Sequence, residues 1–210
     1  MSHLDLGLVG NSRTSALIDK EARIVWWCYP HFDSNPLCCS LLRSDDKNRA
    51  ADAFGFIDLL FDGSHTVRQF YQRNSAILQT RLQDGEGNVI DVTDFAPRFY
   101  LHGRMFAPAM LVRVIRRVAG RPRIGVRLRP AINYGQTRAA SRCGAHHVTF
   151  YGGPQSMRYG FAQSRNLVAI RAGMDVGEDI VVVGVGVARL ELGEAAHGLF
   201  PLTIPARILI

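Results

Sequence analysis

The residues able to do chemistry in this sequence are scattered carboxylates, four cysteines, seven histidines and an unusual number of arginines. Two carboxyl groups about 5 to 9.5 Å apart would be the strongest sign, because such a pair can cleave a glycosidic bond. Asp91 and Asp94 share a strand-like run, but a spacing of three on a strand sends their side chains to opposite faces. Asp33 sits in the crowded run Pro30-His31-Phe32-Asp33-Ser34, which reads as a loop. A carboxylate there either bonds the backbone of its own turn or offers a polar group to a ligand. Trp26 and Trp27 are adjacent in a strand, so one indole belongs to the core. The other lies on the opposite face, where an exposed indole can stack on a sugar.

Other chemistries find no anchor. Cys143, His146 and His147 form a metal-like fragment without a fourth ligand, and Cys28, Cys38 and Cys39 have no C-x-x-C spacing. No metal site and no cofactor are therefore expected. Gly184 and Gly186 fall inside an apolar strand run rather than between a strand and a helix, so they make no phosphate loop. No G-x-S-x-G nucleophile elbow occurs. Residues 1–7 lack a basic region and an apolar stretch of signal-peptide type, so a cytoplasmic location with free thiols is expected. No membrane partner is expected either: the longest apolar run, 180–188, is about half of the ~20 residues a helix needs to span a bilayer.

The 25 Lys+Arg against 18 Asp+Glu leave a net charge of +7, and only Lys20 and Lys47 are lysines. The densest basic run is Arg113, Arg116, Arg117, Arg121, Arg123, Arg127 and Arg129. Its second half alternates Ile124, Val126 and Leu128 with Gly125, Arg127 and Arg129, which lines the arginines along one strand face. That face is expected to be solvated or paired with carboxylates. No aromatic residues interleave with these arginines to stack bases, so nucleic acid is not an expected partner.

The elements that would position these groups are nearly all strands. Strand-like runs occupy 6–9, 14–18, 24–28, 54–61, 66–71, 76–82, 89–95, 109–119, 123–130, 147–151, 167–171 and 180–192, with turn residues between them. The clearest hairpin loop is Asp84-Gly-Glu-Gly-Asn88, and a short helical turn is expected over 37–43. A parallel sheet would need crossover helices that the sequence does not offer. An apolar content of 47% with 20% charged residues excludes disorder. The expected fold is all-β, a large antiparallel β-sandwich (super-sandwich) with little helix, forming a single domain over residues 1–210.

Residues 8–42 contain Gly10-Asn11, Arg13-Thr14, Ala16-Leu17, Trp27-Cys28, Pro30, Phe32-Asp33-Ser34 and Leu41-Leu42. In type and spacing this run resembles the N-terminal, trehalase-like domain of glycoside hydrolase family 15 proteins. Leu78-Gln-Thr80, Val92-Thr-Asp94-Phe-Ala-Pro97, and the stretch from Arg113 to Pro130-Ala-Ile-Asn-Tyr134-Gly135 resemble later motifs of the same domain. The sequence departs from the pattern at His31, where Arg is usual, at Asn35, which interrupts a Ser-Pro, and at Arg43-Ser44. Similarity is strongest over 6–135 and fades after about 177.

The resemblance implies a β-sandwich joined to an α/α six-hairpin barrel that carries two catalytic glutamates. Such enzymes, glucoamylases, glucodextranases and trehalases, hydrolyse α-glucosidic bonds with inversion. The catalytic α/α barrel is absent from this sequence, so no catalytic residue is assigned in this chain, which is expected to be truncated or excised and inactive alone. The implied role is to pack on and orient that barrel in cis, near an α-glucan or trehalose. The candidate rim or interdomain contacts are Asn11, Arg13, Trp27, His31, Phe32 and Asp33. The alternative is a stand-alone carbohydrate-binding sandwich using Trp26 or Trp27 with Tyr29; an arginine-rich nucleic-acid binder is the remote one. If residues 204–210, apolar and without a family feature, are not native to the fold, they are expected to pack poorly or form an extended tail.

Overall fold

The period-two runs form strands, and the Asp, Asn and Gly clusters between them form turns. The computed structural model describes residues 5–43, 53–61, 63, 65–143, 147–151, 168–172, 180–187 and 206–209. Along the chain the strands are β1 (Gly7–Gly10), β2 (Ser15–Ile18), β3 (Ile24–Cys28), β4 (Pro36–Cys38), β5 (Phe56–Leu60), β6 (His65–Tyr71) and β7 (Leu78–Gln83). They continue with β8 (Val89–Phe95), β9 (Phe99–Leu101), β10 (Arg104–Phe106), β11 (Met110–Ala119), β12 (Ile124–Arg129) and β13 (Ala131–Ile132). The last are β14 (Thr137–Arg138), β15 (Ala140–Cys143), β16 (His147–Tyr151), β17 (Val168–Ala172), β18 (Ile180–Val187) and β19 (Ala206–Leu209). One sheet has the order β1-β2-β3-β5-β12-β19, with β4 also paired to β3. A second has the order β15-β16-β17-β18-β11-β8-β7-β6. The pairs β9/β10 and β13/β14 stand as separate two-stranded ribbons.

The two large sheets share one apolar core, which makes the fold a β-sandwich. Val9, Ile18, Ile24, Trp27, Val126 and Leu128 from the first sheet meet Leu78, Leu82, Ile90, Val92, Leu111 and Ile115 from the second. The alternation expected along β12 is realised: Ile124, Val126 and Leu128 point inward while Arg127 and Arg129 face out. Asp84 shapes the β7–β8 hairpin, its Oδ1 accepting the backbone N–H groups of Glu86 and Asn88 at 2.9 and 2.8 Å. Gly184 and Gly186 are strand residues of β18, opposite Val112 and Met110 of β11.

Two expectations are corrected. Residues 37–43 do not make a helical turn throughout; β4 leads into a 3-10 turn over Ser40–Leu42 alone. The N–H groups of Cys39 and Ser40 both donate to the Gly55 carbonyl, at 2.8 and 3.0 Å, which holds the preceding backbone extended against the sheet. Nor are residues 206–209 an extended tail. They form β19, parallel to β12, on the edge of β12 away from β5. An unpaired strand edge presents a row of free N–H and C=O groups that a further strand satisfies. The Cys143-His146-His147 fragment and residues 188–192 lie outside the described residues or side chains.

A charged pair sits inside the core. Asp94 of β8 and Arg113 of β11 are directly opposite in the ladder, and both point inward. The guanidinium grips the carboxylate through two bonds of 2.7 and 3.0 Å, with both side chains 2% exposed or less. Burial pushes the Asp94 carboxyl up from its ordinary range, and the Arg113 charge opposes that rise. Removing one partner of such a pair leaves an uncompensated buried charge. Asp94→Asn is therefore expected to cost about 3–5 kcal/mol, read from urea-unfolding midpoints against wild type. Unchanged midpoints would show that the pair does not hold the sheet.

Candidate functional site

One end of the sandwich collects three connections: residues 11–14 between β1 and β2, residues 29–35 between β3 and β4, and the β9/β10 ribbon between β8 and β11. Asn11 joins them. Its side chain is 3% exposed, and its Nδ2 donates to the carbonyls of Pro97 and Pro108 at 2.8 and 2.7 Å. Those two prolines flank the ribbon on either side. The Oδ1 of Asn11 accepts the N–H groups of Arg13 and Thr14 at 3.1 and 3.2 Å. Two amide donors and two lone pairs are thus all satisfied, and the reversed amide would satisfy none of them. Thr14 extends the network: its hydroxyl donates to the Cys28 carbonyl at 3.1 Å and accepts the Trp27 indole N–H at 2.8 Å.

The ribbon is a short arm. Phe99, Tyr100 and Leu101 pair with Phe106, Met105 and Arg104, in that order. His102 and Gly103 turn the chain with φ of 49° and 72°. Both central residues are left-handed, the geometry of a tight two-residue hairpin turn that favours glycine at one of them. The Phe99 and Phe106 rings stack with centroids 5.8 Å apart. Arg98 Nη1 donates to the Ser12 hydroxyl at 3.0 Å, a second tie to the β1–β2 loop.

Of the residues singled out from the sequence, Asn11 and Trp27 are buried and engaged in these bonds, so neither side chain reaches a ligand or a partner surface. They position the end of the sandwich instead. Arg13, His31, Phe32 and Asp33 are exposed on it. The 31–34 turn closes through Ser34 N–H to the His31 carbonyl at 3.1 Å and His31 N–H to the Ser34 hydroxyl at 3.2 Å. Tyr29 is buried edge-on against Trp27, with ring centroids 5.5 Å apart. Burial pushes its hydroxyl up to about 12. A sugar platform of Trp27 with Tyr29 is therefore not at the surface; Trp26, on the other face of β3, is half-buried. What sequence reading missed is the arm, signalled only by a His-Gly turn between two prolines.

The buried carboxylates are used structurally. Asp58 takes a two-bond grip from Arg127 at 2.9 and 2.6 Å, with Arg23 3.8 Å away. Asp91 takes one from Arg81 at 2.6 and 2.7 Å and a bond from Gln79 Nε2. Asp91 and Asp94 do lie on opposite faces of β8: Asp94 faces the core and Asp91 faces out, to Arg81. Phe56, over which Arg23 and Arg127 stack, is itself buried and offers no base platform. Cys28, Cys38 and Cys39 are buried free thiols, and no cluster of metal-ligating side chains occurs among the described residues.

Asp19 is a second carboxylate displaced upward by burial. Burial pushes it up to about 6, although its Oδ1 accepts the Glu21 and Arg23 N–H groups at 3.0 and 2.8 Å. It lies in the β2–β3 turn, at the other end of β2 and β3 from Asn11. The folded chain holds this proton more tightly than the unfolded one, so stability falls as pH rises from 3.8 to about 6. Asp19→Asn keeps the acceptor oxygen and should flatten that fall, measured as unfolding midpoints at pH 4 and pH 7; an undiminished slope would reject the assignment. Asn11→Asp keeps the two acceptor bonds but removes both donors to the proline carbonyls. It is expected to cost about 1–3 kcal/mol, the penalty of one buried polar group left unsatisfied, because the Pro97 carbonyl loses its donor while the Pro108 carbonyl keeps the Met110 N–H. It should also speed amide exchange in β9 and β10, and wild-type exchange there would show that Asn11 does not hold the arm.

Comparison with known proteins gives this architecture a family. Residues 4–159 match the model of the trehalase-like N-terminal family. Over 147 residues the chain is 28% identical to a trehalase of Thermoplasma volcanium, covering 69% of this chain and 22% of that protein. Over 138 residues it is 28% identical to trehalase 2 of Sulfolobus acidocaldarius, covering 66% of this chain and 20% of that one. The chain thus spans about a fifth of the length of these curated relatives. No solved structure matches. The match covers well over half of the sequence, and the motif residues Asn11, Thr14, Trp27, Asp94 and Arg113 all lie within it as parts of the buried frame, so the chain belongs to the trehalase-like N-terminal family.

Proposed function

We propose that this chain is the non-catalytic N-terminal β-sandwich of a family 15 glycoside hydrolase, of the glucoamylase, glucodextranase or trehalase type. In this reading it packs on and orients an α/α barrel that hydrolyses α-glucosidic bonds, with trehalose or an α-glucan as substrate of the whole enzyme. The observation that carries the reading is the match of residues 4–159 to the N-terminal family, in relatives about five times as long as the matched region.

The carboxylates support placing the chemistry elsewhere. Inverting hydrolysis needs one carboxylic acid facing the leaving oxygen and one carboxylate holding a water, about 6.5–9.5 Å apart across an open cleft. Asp58, Asp91 and Asp94 are each neutralised by a two-bond arginine grip, and Asp84 holds a hairpin turn. Arg13, His31, Phe32 and Asp33 remain as exposed groups that can border a substrate or a neighbouring domain. A cytoplasmic setting fits the three described free thiols, Cys28, Cys38 and Cys39. The purified chain is expected to release no glucose from trehalose, maltose or soluble starch above a buffer blank. Measurable release would overturn the non-catalytic assignment.

A further inference from the structure

The β9/β10 arm has more apolar surface in water than a self-contained sandwich needs. Tyr100 is 75% exposed, and Phe99, Met105 and Phe106 are each about 40% exposed. Among the described residues the arm pairs with no other strand, so neither outer edge of its ladder has a described partner. A two-stranded ribbon alone is marginally stable in water at best. Here it is held erect by the Phe99–Phe106 stack, the Asn11 bonds to Pro97 and Pro108, and the Arg98–Ser12 bond. The fold therefore invests a fully satisfied buried amide in keeping an exposed aromatic arm in one position. Pre-positioning of that kind lowers the ordering cost of docking.

We infer that the arm is the element by which this sandwich grips the remainder of a trehalase-like enzyme, an inference that rests on the N-terminal-module reading above. Two observations identify the occupant. The relatives carry about four-fifths of their length outside the matched region, which is where a covering surface is available. The charge at this end is also one-sided: Arg13, Arg98 and Arg104 are exposed there against Asp33, and residues 96–109 contain no acidic residue. The surface that fits is an apolar groove admitting the Tyr100 and Met105 side chains, bordered by carboxylates that meet Arg98 and Arg104. Apolar anchors in a pocket with a charged rim are the usual anatomy of a specific interface.

The test is a single polypeptide in which these 210 residues replace the matching part of the Thermoplasma volcanium trehalase. A photo-crosslinking benzoylphenylalanine is placed at Tyr100, at Met105, or at Glu21 in the β2–β3 turn as a control. Cross-links into the trehalase-derived part from Tyr100 and Met105, and none from Glu21, are the expected result. Cross-links from Glu21 alone would overturn the arm while leaving the module reading standing; none from any position would overturn both. Amide exchange on the 210-residue chain alone gives an independent measure. Exchange in β9 and β10 should be much faster than in β8 and β11, and slow exchange would mean that the chain covers its own arm, which overturns the proposal. Retardation of the chain by a starch gel that is lost in Tyr100→Ser would assign the arm to sugar and overturn it as well.

Discussion

A buried asparagine must find four hydrogen-bond partners or lose stability, and at Asn11 that constraint organises the whole end of the sandwich. Its two donors reach proline carbonyls 86 and 97 residues away in sequence, while its oxygen holds the turn it belongs to. Proline has no N–H to offer a ladder, and Pro97 and Pro108 fall just outside the strands, after the end of β8 and before the start of β11. A side-chain amide supplies what the sheet cannot. The same loop passes the constraint to Thr14, then to the Trp27 indole and the Cys28 carbonyl, so that β1, β2, β3 and the arm are fixed by one continuous set of bonds.

This explains what the family motifs encode. Asn11, Thr14, Trp27, Asp94 and Arg113 lie in the runs that carry the resemblance, and each is a buried group bonded to another part of the frame. The Asp94–Arg113 pair ties β8 to β11 across their ladder, the two strands that bracket the arm. Polar residues in such positions are constrained because any replacement strands a partner in the core. The runs that mark the family are here sets of buried bonds that close the frame.

Much of the frame was legible because strands longer than about four residues announce themselves by alternation. β3, β8 and β16 match their expected bounds, and the outward arginines of β12 and the opposed faces of Asp91 and Asp94 follow from period two alone. The arm was not legible. Its strands are three residues each, too short for a period to register, and its side chains are exposed on both faces, so there is no alternation to read. The burial of Asn11 and Trp27 is not legible for a related reason. Residue type marks them as capable of contact, but burial is decided by chain segments nearly a hundred positions away. The parallel pairing of β19 with β12 is equally non-local, since its partner lies about eighty residues earlier.

Charge completes the separation between frame and interface. The two-bond side-chain grips on Asp58, Asp91 and Asp94 each come from an arginine, whose fork can bridge both oxygens where a lysine offers a single point of charge. That requirement gives Arg81, Arg113 and Arg127 a structural use that a lysine could not fill. It also fixes where the surplus goes. Three acids are neutralised within the sheets, so positive charge remains at the surface, and at the Asn11 end it stands beside aromatic rings rather than beside carboxylates. Apolar rings and positive charge therefore lie side by side in water at this end of the sandwich rather than inside its frame.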